Sequence, residues 1–339
     1  MSLPRPLFLV GRLVLTLAFT FLGLLLVTFL IGRVVPIDPV LAAVGDRAPP
    51  DVYERMRIEL GLHLPLWQQF VNYVSDVVRG DFGRSVLTSN PVLSDIARVF
   101  PATLELATIA TLLGVLLGVP LGVAAAVWQG RWIDHVIRVV GLVGYSVPIF
   151  WLGLVGLLVF YAKLDWVAGP GRLDVFYMDL VEPVTGVILI DAALAGDWDV
   201  FWNAVDHLIL PASLLGYFSL AYIARMTRSF MIEQLSQEYV TTARVKGLSE
   251  ARVVWRHALG NTAVPLVTVI ALSYANLLEG SVLTETVFAW PGLGFYITNS
   301  LLNADMNAVL GGTIVVGSVF IGLNLLSDLL YRLLDPRAR

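Results

Sequence analysis

The chain has 339 residues, 57% of them apolar and 14% charged, with a net charge of −4. Soluble domains are about a quarter charged, so this composition excludes a protein folded around one core in water and points to a lipid environment. The absence of cysteine excludes disulfides and thiolate metal sites. The four histidines make no metal-site spacing, and no basic nucleic-acid face is present.

A helix needs about 20 apolar residues to cross the hydrocarbon layer. The first such run, residues 13–32, follows Arg5 and Arg12. It is too long for a signal-peptide core and no small-residue cleavage pattern follows, so it reads as an uncleaved anchor. Residues 33–100 form an external segment. Pro49, Pro50 and Asp51 punctuate it, residues 52–60 read as a short helix, and Gly61 ends that helix. Trp67, Phe70 and Tyr73 then recur at helical spacing. They predict an amphipathic helix at the membrane surface or a contact surface for an extracytoplasmic partner.

Residues 106–127 form the second span, with Glu105 read as interfacial at its start. Gly114, Gly118 and Gly122 fall on one face, where small residues let another helix approach closely. Residues 139–162 form the third span. Pro120 and Pro148 are predicted to kink or break their helices, and broken membrane helices often line a cavity. The next segment, residues 163–207, sets eight acids against Lys163 and Arg172. Its apolar stretch 184–190 is too short to cross and reads as a re-entrant or interfacial piece. Residues 208–224 are the fourth span, 262–278 the fifth, bounded by Glu279, and 307–327 the sixth, followed by an interfacial Asp328.

Cytoplasmic loops are enriched in Lys and Arg. Arg131 and Arg138 lie between spans two and three. Arg225, Arg228, Arg244, Lys246, Arg252 and Arg256 lie between four and five, and Arg332, Arg337 and Arg339 in the tail. The connection between spans five and six has no Lys or Arg. Both termini are therefore expected inside.

Between spans four and five lie residues 225–261. A simple helix–helix connection takes about 2–8 residues; here 37 are used. Few breakers interrupt 231–246, so helix is expected. Gly247 breaks it, and Ser249 is placed to cap a new helix from Glu250. On pattern alone this is either a solvated hairpin or a segment with a mechanical task.

The run Glu238-Tyr239-Val240-Thr241-Thr242-Ala243-Arg244-Val245-Lys246-Gly247-Leu248-Ser249 resembles the coupling loop of ATP-binding-cassette import permeases of the peptide branch. The resemblance covers nearly the whole chain. It includes Asp38-Pro39, Glu59-Leu60-Gly61-Leu62, Gly80-Asp81-Phe82-Gly83-Arg84-Ser85 and Pro101-Ala102-Thr103-Leu104-Glu105-Leu106. It continues through Ser146-Val147-Pro148-Ile149-Phe150-Trp151 and Thr284-Glu285-Thr286-Val287-Phe288-Ala289-Trp290-Pro291-Gly292-Leu293-Gly294. Pro183-Val184-Thr185-Gly186 and Leu189-Ile190-Asp191 look like the insertion of dipeptide-type permeases, so the chain is most similar to B-type dipeptide permease subunits. It departs at Thr241, where Arg is common, and at Ile37 and Glu279, where Gly is common. The broader Glu-Ala-Ala triplet reads Thr241-Thr242-Ala243, and the later Leu-Pro reads Leu259-Gly260.

The resemblance implies an all-α integral membrane protein of the type I ABC importer permease fold. It would have six transmembrane helices, two external insertions and a cytoplasmic coupling-helix loop. The expected organisation is a cytoplasmic N-terminus with the first helix (1–32), an external segment (33–100) and a permease core (101–330). The core holds the insertion 163–207 and the coupling loop 225–261, and a cytoplasmic tail (331–339) follows. Glu238, Tyr239, Thr242, Ala243, Lys246, Gly247, Leu248 and Ser249 would dock on an ATPase subunit, Glu238 through a charged contact. Glu279, Tyr145 and Pro148 are candidates for the translocation cavity, although Glu279 also suits an interfacial position near water. Glu285, Trp290, Pro291 and Gly292 are candidates for an external gate or a binding-protein contact.

No Gly-x4-Gly-Lys-Ser/Thr phosphate loop is present. The chain is expected to be no enzyme, to carry no catalytic or metal site, and to leave ATP and Mg to partner subunits. The implied partners are a second, homologous permease forming a heterodimer, two ATP-binding subunits, an extracytoplasmic solute-binding protein, a peptide cargo and the lipid bilayer, with no nucleic acid. The implied location is the bacterial cytoplasmic (inner) membrane. Oligopeptides, haem or nickel are alternative cargoes. An ion-coupled secondary transporter would need paired acids, or an acid and a His, deep in the helices, and only Glu279 stands as an isolated candidate. An intramembrane hydrolase would need a Ser–His or Asp–Asp constellation, and none is visible.

Overall fold

A computed structural model describes residues 5–34, 39–45 and 47–334. Ile37, Asp38, Arg337 and Arg339 lie outside the described residues, as do the side chains of Arg5, Arg12, Asp328 and Arg332. The helices in chain order begin with α1 (Arg5–Val34), α2 (Pro39–Val44), α3 (Pro50–Glu59) and α4 (Leu66–Val78). Next come α5 (Val92–Val127), α6 (Trp132–Ser146), α7 (Ile149–Gly156) with a π-helical continuation (Leu157–Lys163), and α8 (Ile188–Ala195). After α9 (Trp198–Leu235) and α10 (Glu238–Val245), α11 (Glu250–Arg252) passes through a π-helical turn (Val253–Ala258) into α12 (Leu259–Gly280). The series closes with α13 (Val282–Val287), α14 (Leu293–Leu302) and α15 (Met306–Leu334). Among the described residues, five helices are long and apolar enough to cross a membrane, and six spans result if α6 and α7 count as one.

The chain divides into two compact units. In the unit made of residues 1–100 and 296–321, α4 packs on α1. Phe70 and Tyr73 surround a core of Leu25, Val77 and Ile314. The Phe70 ring lies 5.3 Å from Phe29, and the hydroxyls of Tyr73 and Thr28 are 2.8 Å apart. Two of the three aromatic residues read as a surface stripe are therefore half-buried and packed against α1; Trp67 alone of the three is exposed. The Gly80–Ser85 motif folds onto the start of α15. Ser85 Oγ donates to Asp305 Oδ2 at 2.5 Å, and Asn307 Nδ2 donates to the Arg84 carbonyl at 3.0 Å.

The second unit comprises residues 101–295 and 322–339, and α9 runs through it, packed on α12, α6 and α8. The glycine face of α5 meets α9 as expected. A Cβ added at Gly122 would stand 2.6 Å from both the Ala224 carbonyl and Thr227 Cβ, and one at Gly118 would stand 3.0 Å from the Leu220 carbonyl. A Gly122→Leu change is therefore expected to force the two helices apart and cost about 1–3 kcal/mol. A lowered thermal midpoint of the detergent-solubilised protein checks this.

Of the two prolines expected to kink or break their helices, Pro148 does so: α6 and α7 meet at 97°, with Pro148 at the N-cap of α7. Pro120 does not break its helix, because α5 continues through both Pro101 and Pro120. The fourth helix is far longer than its apolar run. Asp197 caps it by accepting the Val200 N–H at 3.1 Å, so the acids Asp199 and Asp206, read as loop, are helical. Helicity does not require apolarity, and a good cap extends a helix into polar sequence.

The acidic insertion is ordered rather than merely solvated. Asp191 Oδ1 accepts the Thr185 N–H at 2.8 Å and its hydroxyl at 2.7 Å, and Oδ2 accepts the Gly186 N–H at 2.9 Å. Burial alone would push this carboxyl up, but these hydrogen bonds outweigh it and hold the carboxyl below the usual range.

Candidate functional site

Between α9 and α11 the chain makes a compact elbow. The first helix was expected to run over 231–246, but α9 stops at Leu235, and Ser236 and Gln237 separate it from α10. The connection is correspondingly tighter than 37 residues, because both long helices extend into it. Gly247 sits just past the end of α10 at φ +78°, the left-handed region that side chains avoid. Its N–H donates to the Arg244 carbonyl at 2.9 Å, and the Leu248 N–H to the Ala243 carbonyl at 3.2 Å. This pair of bonds is the Schellman motif, which closes a helix end by satisfying its free carbonyls. The apolar contact that accompanies it is present too: Leu248 and Tyr239 pack on buried Val240, Ala243 and Val253.

The elbow is therefore self-supporting, and its outer face is open. Glu238, Thr242, Lys246, Gly247 and Ser249 are exposed, as is Val245 at 83%. Among the predicted docking residues Ala243 is buried and Tyr239 and Leu248 half-buried; these three build the elbow. Ser249 stands at the N-cap position of α11, but its side chain makes no capping bond. The Arg244–Glu250 ion pair, at 2.8 Å, bridges the two arms instead.

A second cluster lies around Glu285, which is fully buried. Its Oε1 accepts the hydroxyls of Thr103 at 2.8 Å and Ser281 at 2.9 Å, and its Oε2 accepts the Phe295 N–H at 3.0 Å. Thr103 Oγ1 in turn accepts the Leu293 N–H at 2.7 Å. Trp290, also fully buried, donates its indole N–H to the Ala102 carbonyl at 2.9 Å. A Cβ on Gly292 would lie 2.6 Å from Thr103 Oγ1. Burial pushes the Glu285 carboxyl above the usual range, against the hydrogen bonds it accepts.

Next to this cluster, Arg172 lies 5.8 Å from the Trp290 ring centre and donates to Glu105 at 2.9 and 2.5 Å. Glu105, read as interfacial, is thus buried and paired. Of the four candidates for an external gate or a binding-protein contact, Glu285, Trp290 and Gly292 are buried inside the chain. Pro291 alone of that set is exposed.

A third feature is an open cavity of about 660 Å³ between α5, α6 and α9. Tyr145, named from the sequence, lines it; Glu279 and Pro148 do not, and both are exposed elsewhere. The walls include Leu121, Val136, Val140 and Leu220. Arg228 lines one side and donates to Asp134 behind it at 2.7 and 2.8 Å, and the Gly130 N–H also donates to Asp134, at 2.9 Å. Arg225 lies 5.0 Å from the Tyr145 ring centre and 5.9 Å from that of Tyr222.

The pairings Thr103–Glu285, Glu105–Arg172 and Asp134–Arg228 were not foreseen. The signal in the sequence was that Thr103 and Glu105 share one resembling motif and Glu285 lies in another.

A family model described as "Binding-protein-dependent transport system inner membrane component" matches residues 118–339, and the corresponding N-terminal model matches residues 7–107. The chain belongs to this family. It is 46% identical over 315 residues to the probable D,D-dipeptide transport system permease protein DdpB of Escherichia coli (strain K12), covering 93% of this chain and 92% of the relative. It is 44% identical over 321 residues to the di/tripeptide transport system permease protein DppB of Pseudomonas aeruginosa (strain UCBPP-PA14), covering 94% and 95%. It is 43% identical over 324 residues to the dipeptide transport system permease protein DppB of Escherichia coli (strain K12), with the same coverage. The inward-facing MetNI methionine ABC transporter aligns with a TM-score of 0.54 at 16% identity, covering 73% of this chain and 100% of that one. That likeness shows the fold alone. This binding-protein-dependent permease is thus a multi-pass inner-membrane subunit of an ABC importer, of the DppB type and with the type I fold. It works with other ABC subunits and is not itself an enzyme.

Proposed function

We propose that this permease moves dipeptides or similar small peptides inward by alternating access, as one half of a heterodimer with a second permease. Two ATPase subunits, which bind ATP and Mg, drive it, and an extracytoplasmic solute-binding protein delivers cargo. The elbow carries the reading. It is rigid, and its exposed face mixes an apolar Val245 with charged Glu238 and Lys246, the chemistry of a face that seats in a groove of another subunit. A rigid element in a socket passes on a domain movement as a two-state rearrangement. The peptide cargo is supported by the names of the relatives, each of which covers nearly the whole chain. The orientation, with both termini and the elbow in the cytoplasm, is supported by the Lys and Arg distribution.

The test is reconstitution of the permease pair with its ATPases in liposomes and the binding protein outside. Labelled dialanine is expected to accumulate only with ATP. Accumulation without ATP, driven by an imposed proton or sodium gradient, would overturn the reading.

A further inference from the structure

We infer that Arg225 holds the free carboxylate of the cargo in the α5–α6–α9 cavity. The inference rests on the peptide reading above and names the group that selects within it. Two arginines of α9 face this cavity, and they differ in one decisive respect. Arg228 is neutralised by a buried acid: it makes a two-pronged pair with Asp134, whose side chain is 1% exposed, and so it ties α6 to α9. Arg225 has no acidic partner among the described residues and is exposed to the cavity.

Arg225 is held in place by aromatic faces instead. Tyr145 and Tyr222 lie within cation–π range. Tyr145 is itself steadied by Phe218, 5.2 Å away. Aromatic faces position a guanidinium without occupying its N–H donors, so the planar fork remains available for a carboxylate. The remaining cation of the cavity, Arg138, acts on Asp134, which Arg228 already pairs.

The surroundings fit a short peptide. The volume falls within the roughly 300–1,000 Å³ of small-ligand clefts. The apolar walls of Leu121, Val136, Val140 and Leu220 accept side chains of varied shape, and Ser229 adds a hydroxyl beside Arg225. The cavity lies toward the end of α9 that leads into the elbow, so its shape is coupled to the segment proposed to take the ATPase stroke.

The experiment uses the whole complex, both permeases and both ATPases, in lipid nanodiscs without nucleotide or binding protein. Binding of labelled dialanine is compared with that of alanylalanine amide, which lacks the carboxylate. The native complex is expected to prefer the free acid at least tenfold. Arg225→Gln is expected to bring that preference near one, and Arg225→Lys to restore part of it. Arg131→Gln, a cation outside the cavity, should leave the preference as it was. Complex assembly by gel filtration guards against a folding defect.

A native complex without the preference, or an Arg225→Gln complex that keeps it, overturns the assignment. Co-purified anionic phospholipid lost specifically on Arg225→Gln, with no peptide preference, would give the site to lipid and overturn it too. ATP-driven dialanine uptake by the native complex is measured in parallel. Absent uptake refutes the peptide reading itself, whereas uptake without the preference refutes only the role of Arg225.

Discussion

Replacing Gly247 with valine is expected to uncouple ATP hydrolysis from transport. The residue holds φ at +78°. A left-handed conformation costs a residue with a side chain about 1–2 kcal/mol, and a β-branched one more. The turn will relax toward negative φ and lose the Leu248 and Gly247 hydrogen bonds that close α10. With them goes the packing of Leu248 on Val240, Ala243 and Val253. A second variant separates folding from docking. Lys246→Glu breaks no side-chain bond, because the Lys246 side chain is exposed and makes no hydrogen bond or ion pair among the described residues. It should leave the thermal midpoint in place while reducing ATP-driven dipeptide uptake about tenfold, equivalent to about 1.4 kcal/mol of docking. Unchanged uptake in Lys246→Glu, in a complex that assembles normally, would remove the elbow from the coupling machinery.

The second large effect is expected at Glu285. Removing its carboxylate by Glu285→Ala leaves the Phe295 N–H and the hydroxyls of Thr103 and Ser281 buried without their acceptor. Each unsatisfied buried group costs about 1–3 kcal/mol, so the loss should reach about 3 kcal/mol or more and reduce the amount of inserted, folded protein. Glu285→Gln keeps the shape and one acceptor oxygen, and should fall between. The sign with pH follows from the direction of the shift. The carboxyl is raised in the folded state, so the stability tied to its protonated form is present below the usual carboxylate range and is lost as pH rises through the folded value. Thermal midpoints across pH should decline with rising pH for the native chain and flatten in Glu285→Gln. Equal midpoints for native and Glu285→Ala would show that this buried network contributes nothing.

What the sequence made legible is what depends on local pattern. Six apolar runs marked the spans, three glycines at intervals of four marked the face of α5 that meets α9, and Gly247 marked the elbow. Helix limits were harder, since polar residues carry α9 well beyond its apolar stretch at both ends. The buried acids were not legible, because their partners lie far off in the chain: Thr103 and Glu285 are 182 residues apart, and Arg228 and Asp134 are 94. An acid beside an apolar run looks the same in sequence whether it meets water or a distant arginine. Phe70 and Tyr73 show the same ambiguity, since helical spacing reveals a face but not what covers it.

Each arm of the elbow leads into a long rod, α10 into α9 across Ser236 and Gln237 alone and α11 into α12 directly. With 38 residues, α9 measures about 57 Å at 1.5 Å per residue, nearly twice the roughly 30 Å of hydrocarbon it must cross. On the other side, α11 runs through its π-helical turn into α12 with no loop between them. Such a pair behaves as a crankshaft: on the α11–α12 side a nudge of a few ångströms at its tip meets no loop that could absorb it and must reappear as tilt or slide at bilayer depth. The same stiffness implies that loosening either rod, by glycine inserted at the π-helical turn, would idle the engine without touching the tip.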